Sequence, residues 1–341
     1  MNTQEALKNA QSFPINQNKK LISETQESDT KLPDKPLIFI MGLHRSGTTF
    51  LYESLTEYYG TAKLSIFDIV YFPELLNISK NNAENEYKHA LSSFFHALAY
   101  SKRGNDSISL GPNTAEEYGW ILKRWGSAFS CNQKTLPLMR QIIHKLSAIN
   151  TDSQALILKN PWDIGQGKFI SDNFPEAKFI YIKRSPKEIL NSEINNALHF
   201  TETKDPLLSL LSNSIPITRR LTKTFTILRL LLGRRVFTKL IAKLMTGDIV
   251  NNLQKYQHDI KQIEKSKVFE LDYSDLIDNA HDTYTALTQF LRLTPKVASE
   301  IPKAHRSKKP VSEVVESASV KLNAQLLASD LSRFISSKHN S

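Results

Sequence analysis

The chain has 341 residues, 40% of them hydrophobic and 23% charged, enough to bury one substantial core, so one domain with insertions is expected. A single cysteine, Cys131, excludes an internal disulfide framework and is read as a small buried apolar residue in a reducing compartment. The formal charge of +10 and a pI near 9.4 favour an anionic partner, whether nucleotide, nucleic acid, acidic lipid or charged substrate.

Residues 1–34 are rich in Asn, Gln, Ser, Thr and Lys without apolar periodicity, and are read as a solvated tail rather than a secretory signal. No uninterrupted apolar run approaches the ~20 residues needed to cross a bilayer, so a cytoplasmic protein is expected. Order should begin at Leu37-Ile38-Phe39-Ile40-Met41, an apolar run suited to a buried parallel strand. A glycine-bounded turn follows, then a helix over 48–58 with Phe50, Leu51, Ser54, Leu55 and Tyr58 on one face. Strands are predicted at 155–158 and 178–182, flanking a helix from about Trp162 to Asn173, and a further helix runs from Pro186. A last strand is predicted at 268–271, before helical periodicity over 275–291.

Strands alternating with helices imply an α/β fold in three layers, a central parallel sheet with helices on both faces. The predicted organisation is a single domain over 35–315 with a basic helical insert at about 205–250. A C-terminal helix or tail at 316–341 completes it.

Gly42-Leu43-His44-Arg45-Ser46-Gly47-Thr48-Thr49 has the G-x-x-x-x-G spacing of a phosphate-binding P-loop, but Thr48 stands where an ATP-hydrolysing loop places lysine. Backbone N–H groups and the helix N-terminus can cradle an anion there. Thr48 and Thr49 add hydroxyls and Arg45 a fork of donors, with no demand for a metal. His44 is either a ligand contact or a hydrogen-bonded structural histidine.

These residues resemble the PAPS-dependent sulfotransferases, particularly the branch of bacterial and tyrosylprotein enzymes, whose 5′-phosphosulfate loop reads much like residues 43–49. Two further segments agree in order and spacing. Leu158-Lys159-Asn160-Pro161-Trp162 is similar to the family's lysine-x-proline element, and it leads to the strand ending Lys183-Arg184-Ser185-Pro186 and on to Ser192. Leu271-Asp272-Tyr273-Ser274-Asp275-Leu276 resembles the element before the family's Phe-Leu-Gly close, here Phe290-Leu291-Arg292. The resemblance implies PAPS (3′-phosphoadenosine-5′-phosphosulfate) as co-substrate, without a metal. It implies that His44, Arg45, Ser46, Gly47, Thr48 and Thr49 hold the 5′-phosphosulfate, that Arg184 and Ser192 hold the 3′-phosphate, and that Tyr273 contacts the nucleotide. The basic cluster Arg306, Lys308 and Lys309 is either a solvated loop or a cover for that phosphate.

In-line sulfuryl transfer to an acceptor hydroxyl or amine needs charge stabilisation at the leaving oxygen, for which Arg45 and Lys159 are the candidates. For the general base, Asp68 ranks first and Glu117 second, ahead of Glu116 and Asp163. Residues 207–245 interleave Leu, Ile and Phe with arginines and lysines and contain no acidic residue. They read as amphipathic helices broken near Gly233. A solvated subdomain, a lid over an apolar or lipid acceptor and a peripheral contact with an anionic membrane compete there, the last placing the protein at the inner face of a membrane. The alternatives to a sulfotransferase are a P-loop kinase or NTPase and a non-enzymatic basic module; nucleic acid is not expected, since no recognition signature for it occurs.

Overall fold

The computed structural model describes residues 35–97, 109–203, 205–212, 215–296, 300–305 and 310–335. The expected tail over 1–34 and the cluster of Arg306, Lys308 and Lys309 lie outside the described residues. The chain forms two compact units. One takes in Ala62–Leu156 and His199–Ile227; the other takes in Pro36–Thr61, Ile157–Leu198 and the chain from Leu228 onward.

The second unit is organised by a four-stranded sheet flanked by helices, an α/β fold. The strands are β1 (Leu37–Met41), β2 (Leu156–Lys159), β3 (Lys178–Lys183) and β4 (Val268–Asp272), in the order β2-β1-β3-β4. β1 runs parallel to β3, with Met41 opposite Tyr181, and β3 runs parallel to β4, with Ile182 opposite Leu271. All five residues of β1 are apolar and buried, as a strand covered on both faces requires. β4 lies at the sheet edge and is only partly buried. Its Glu270 and Asp272 pair with Lys183 at 3.5 and 3.3 Å.

Because β1 has β2 on one side and β3 on the other, the connections diverge there, and the carboxyl ends of the strands frame the place where open α/β sheets bind ligands. The 42–49 loop leaves β1 at that end. Lys159 is the last residue of β2, Arg184 follows β3, and Tyr273 follows β4.

Local chemistry sets where the helices begin and end. Thr48–Tyr59 stops at Gly60, whose φ of 65° forms a left-handed cap and whose N–H reaches Thr56 O at 3.0 Å. The helix expected from Trp162 starts only at Gly167. Pro161–Asp163 forms a single tight turn, and Gly165 takes a φ of 90°. Asp259 then caps the later start, accepting from Gly165 N at 2.7 Å and Gly167 N at 3.1 Å. The periodic stretch 275–291 is two helices, Asp275–Asp278 and Ala280–Leu291, parted at the non-helical Asn279. Arg292, where the family shows glycine, itself adopts the left-handed cap with φ 58°. Lys178 Nζ donates to Phe290 O at 2.6 Å and so satisfies a carbonyl of that last turn. The insert is a long helix, Pro216–Gln262, interrupted at Gly233 with φ 72° and ψ 161°, near where the break was predicted.

The first unit is helical, with Ile66–Val70, Leu75–Lys80, Glu84–Ala97, Gly119–Trp125, Leu136–Ile149 and Pro206–Leu211. Two buried cations tie it together through carbonyls. Lys145 Nζ donates to Phe72 O and Pro73 O at 2.9 and 3.0 Å, and burial pulls its pKa down to about 8. Arg124 donates to Leu211 O at 2.6 Å, at the end of Pro206–Leu211. Cys131 is fully buried, as its apolar reading requires. No helix among the described residues is long and apolar enough to cross a membrane.

Candidate functional site

The loop after β1 is held by two close approaches. A Cβ on Gly42 would stand 2.8 Å from both Ile182 Cγ2 and Ser46 Oγ, so β3 admits only glycine at the loop entrance. A Cβ on Gly47 would overlap the Tyr273 ring, and Gly47 holds a φ of 99°. Arg45 is also left-handed, at φ 65°. Such residues turn backbone N–H groups into a concavity that suits an anion. The first-turn N–H groups of Thr48–Tyr59 open from this loop, and Gly47 at the N-cap supplies no side-chain cap for them.

Ser46 is buried and donates to Leu43 O at 2.7 Å, so its hydroxyl holds the turn. Lys159, 1% exposed at the end of β2, donates to Thr49 Oγ1 at 3.0 Å. This contact brings a desolvated cation to the start of the helix, which strengthens its field. Arg45 Nε donates to Ser192 Oγ at 2.9 Å, so two residues assigned to different phosphates meet directly. Ser192 can face the loop because Pro186–Glu202 starts just after Arg184 and carries it two turns back over the strand end.

Arg184 Nη1 donates to Arg45 O at 3.2 Å, its Nε donates to Glu188 Oε2 at 2.7 Å, and its guanidinium lies 4.7 Å from the Tyr273 ring centroid. Tyr273 is anchored by its N–H to Lys183 O at 2.8 Å and by its hydroxyl to His305 O at 3.2 Å. The His44 ring meets Trp162 edge-on, with centroids 5.0 Å apart. The second unit therefore gathers His44, Arg45, Ser46, Gly47, Thr48, Thr49, Lys159, Arg184, Ser192 and Tyr273 at one end of its sheet.

Asp68 and Glu117 belong to the first unit. Asp68 Oδ2 accepts from Ser65 N at 2.7 Å and Ser65 Oγ at 2.6 Å, closing a capping box on Ile66–Val70. Burial pushes its pKa up to about 6, although both Ser65 bonds oppose the rise. Glu116 is buried, and its Oε1 accepts from Glu117 N at 3.1 Å. Asp163, also buried, accepts from Asn160 Nδ2 at 2.8 Å within the turn after Lys159.

Two carboxylates beside the loop were missed by sequence reasoning. Glu188 is the partner of Arg184, and its position near the start of a helix four residues on was the signal that could have found it. Glu193 follows Ser192; burial pushes its carboxyl up to about 7, with Arg45 opposing and Asp248 adding to the rise. Nothing in the local sequence distinguishes it from an exposed helical glutamate.

The molecule is thus an α/β protein with an anion cradle at the carboxyl ends of a parallel sheet. The sulfotransferase family model matches residues 36–296, and the chain belongs to that family. Among solved structures, the sulfotransferase STF1 of Mycobacterium tuberculosis H37Rv is similar at TM-score 0.51 and 16% identity, over 98% of this chain and 81% of its own. The sulfotransferase STF9 of Mycobacterium avium is similar at TM-score 0.55 and 13% identity, over 95% of this chain and 76% of its own. These two likenesses speak for the fold. No curated protein matches the chain in sequence at a significant level. Family membership supports sulfuryl transfer over the kinase, NTPase and binding-module alternatives.

Proposed function

We propose that this sulfotransferase takes its sulfuryl group from PAPS and passes it to a hydroxyl or amine, by in-line displacement and without a metal. The observation that carries the reading is the convergence of Arg45, Lys159, Arg184 and Ser192 on one glycine loop. A 3′,5′-substituted nucleotide needs two anion sites side by side. The left-handed loop with its uncapped helix start fits the 5′ group, and Arg184 with Ser192 fits the 3′-phosphate. The Arg184–Tyr273 stack would flank the nucleotide.

When bound, PAPS supplies a sulfuryl group attached to a phosphate leaving group. Lys159 and Arg45 hold positive charge near where negative charge would develop, and the burial of Lys159 makes that charge effective without reorganisation. Asp68, with Glu117 second, is proposed to take the acceptor proton. Its Oδ2 is engaged by Ser65, whereas Oδ1 has no hydrogen-bond donor among the described residues. The proposed acceptor is a lipid or other apolar molecule, reached from the cytoplasm or from the inner face of a membrane through a peripheral contact of the basic insert.

Single-turnover desulfonation of PAPS tests the site. Lys159→Ala should slow transfer on the order of 100-fold or more while much of the nucleotide binding survives. Undiminished transfer would remove Lys159 from the mechanism.

A further inference from the structure

The structure divides the apolar side chains of the basic insert into two sets. Leu207, Leu210, Leu211 and Ile215 are buried, as are Phe237, Ile241 and Ala242 beyond the break, so these belong to cores. Leu230, Leu231 and Leu232, directly before Gly233, are instead 69%, 78% and 39% exposed, and Val236 just after it is 54% exposed. Gly233 leaves the helical path at φ 72° and ψ 161°, and a Cβ there would meet nothing within 4 Å. Three successive leucines therefore stand at an open corner in the chain.

Arg234, Arg235, Lys239 and Lys243 are exposed on the chain just beyond this corner. No Asp or Glu occurs between Asp205 and Asp248. Three occupants of such a surface differ in what they would use. A second copy of this chain, docked symmetrically, would set the same cations against each other. A nucleic acid would engage the cations and leave the leucines in water. An anionic bilayer uses both, with apolar side chains at the acyl boundary and cations among the headgroups.

We propose that the Gly233 corner is a membrane-docking tip that inserts Leu230, Leu231, Leu232 and Val236 into an anionic leaflet, with Arg234 and Arg235 at the headgroups. This deepens the peripheral-contact reading above and rests on it, but it does not depend on the donor chemistry. The contact centres on the break, where exposed apolar side chains are most concentrated: Leu207, Leu210, Leu211 and Ile215 are buried, and the exposed Ile217, Leu221, Ile227 and Leu244 stand singly along the rest of the helix.

Cosedimentation of the full chain with vesicles, without donor or acceptor, tests the tip. One set would be pure phosphatidylcholine and the other would contain about 30% phosphatidylserine. The chain should bind the anionic set at least about tenfold more tightly, with an affinity that falls as salt rises. Leu231→Asp should weaken that binding about tenfold, and Arg234→Ser with Arg235→Ser should weaken it and flatten the salt dependence. Far-UV circular dichroism and Tm would show that each variant folds, and Leu230→Ser serves if Leu231→Asp does not. Equal binding by wild type and Leu231→Asp overturns the proposal, as does equal affinity for neutral vesicles. So does vesicle-free self-association in sedimentation velocity that Leu231→Asp abolishes, which would make the corner a contact between copies. Failure here would leave PAPS turnover unaffected, and loss of PAPS binding would leave the tip unaffected, so the two readings fail separately.

Discussion

Asp68 is buried at the first turn of Ile66–Val70 with one oxygen held by Ser65. A group so placed is either a helix cap or a base, and its protonation separates the two. Its pKa is raised to about 6, so the folded state binds the proton more tightly than the unfolded chain. This group's contribution to stability is therefore greatest at low pH and is lost as pH rises through about 6. A base behaves in the opposite sense, because activity requires the ionised form. We expect kcat/KM for the acceptor to fall below about pH 6, and Asp68→Asn, which keeps an acceptor for the cap, to abolish that limb and lower the plateau. A variant with reduced Tm and an unchanged acid limb would leave Asp68 a cap alone. At the same scale, Asp68, Lys145 and Arg124 show what a sequence conceals. Each is a charged residue with no local sign of burial, and each is buried because distant elements close over it.

Among the elements, β1, the loop and the helix after it were legible because their signals are local: an unbroken apolar run, glycines at fixed spacing, and a helical stripe. Boundaries were less legible where a distant group decides them. Gly167–Asn173 begins where Asp259, about ninety residues away, supplies its cap. The helices Glu84–Ala97, Gly119–Trp125 and Leu136–Ile149 were not assigned from sequence, although Leu138, Met139, Ile142 and Ile143 fall on one buried face of the last. Gly47 carries the clearest element-level prediction, since Gly47→Ala meets both a left-handed φ and the Tyr273 ring. It should cost about 1–3 kcal/mol in denaturant unfolding and weaken adenosine 3′,5′-bisphosphate binding measured by calorimetry. If Tyr273→Ala in the same chain restores part of the binding, the ring overlap is a cause; no loss in Gly47→Ala would show that the loop tolerates a side chain.

For the molecule as a whole, the charge of +10 should act on encounter more than on fold. A polyanionic donor approaching Arg45, Lys159 and Arg184 would be steered by that field, which salt screens with a Debye length of about 10 Å at 0.1 M. We expect kcat/KM for PAPS to fall several-fold as ionic strength rises from roughly 0.05 to 0.5 M while kcat changes little. A salt-independent kcat/KM would confine the role of charge to the bound complex.

The sequence by itself determined the loop, the strands that flank it and, through likeness in three short segments, the family. These follow from neighbours along the chain, whose periodicity and spacing survive without any fold. Only the tertiary structure decided that Arg45 rests on Ser192, that Lys159 reaches Thr49 and that Arg184 stacks on Tyr273. Parallel pairing brings the carboxyl ends of β1, β3 and β4, at Met41, Lys183 and Asp272, together at one end of the sheet. The same burial decided which leucines of the insert join a core and which stand in water at Gly233, because helical periodicity marks an apolar face without saying what covers it.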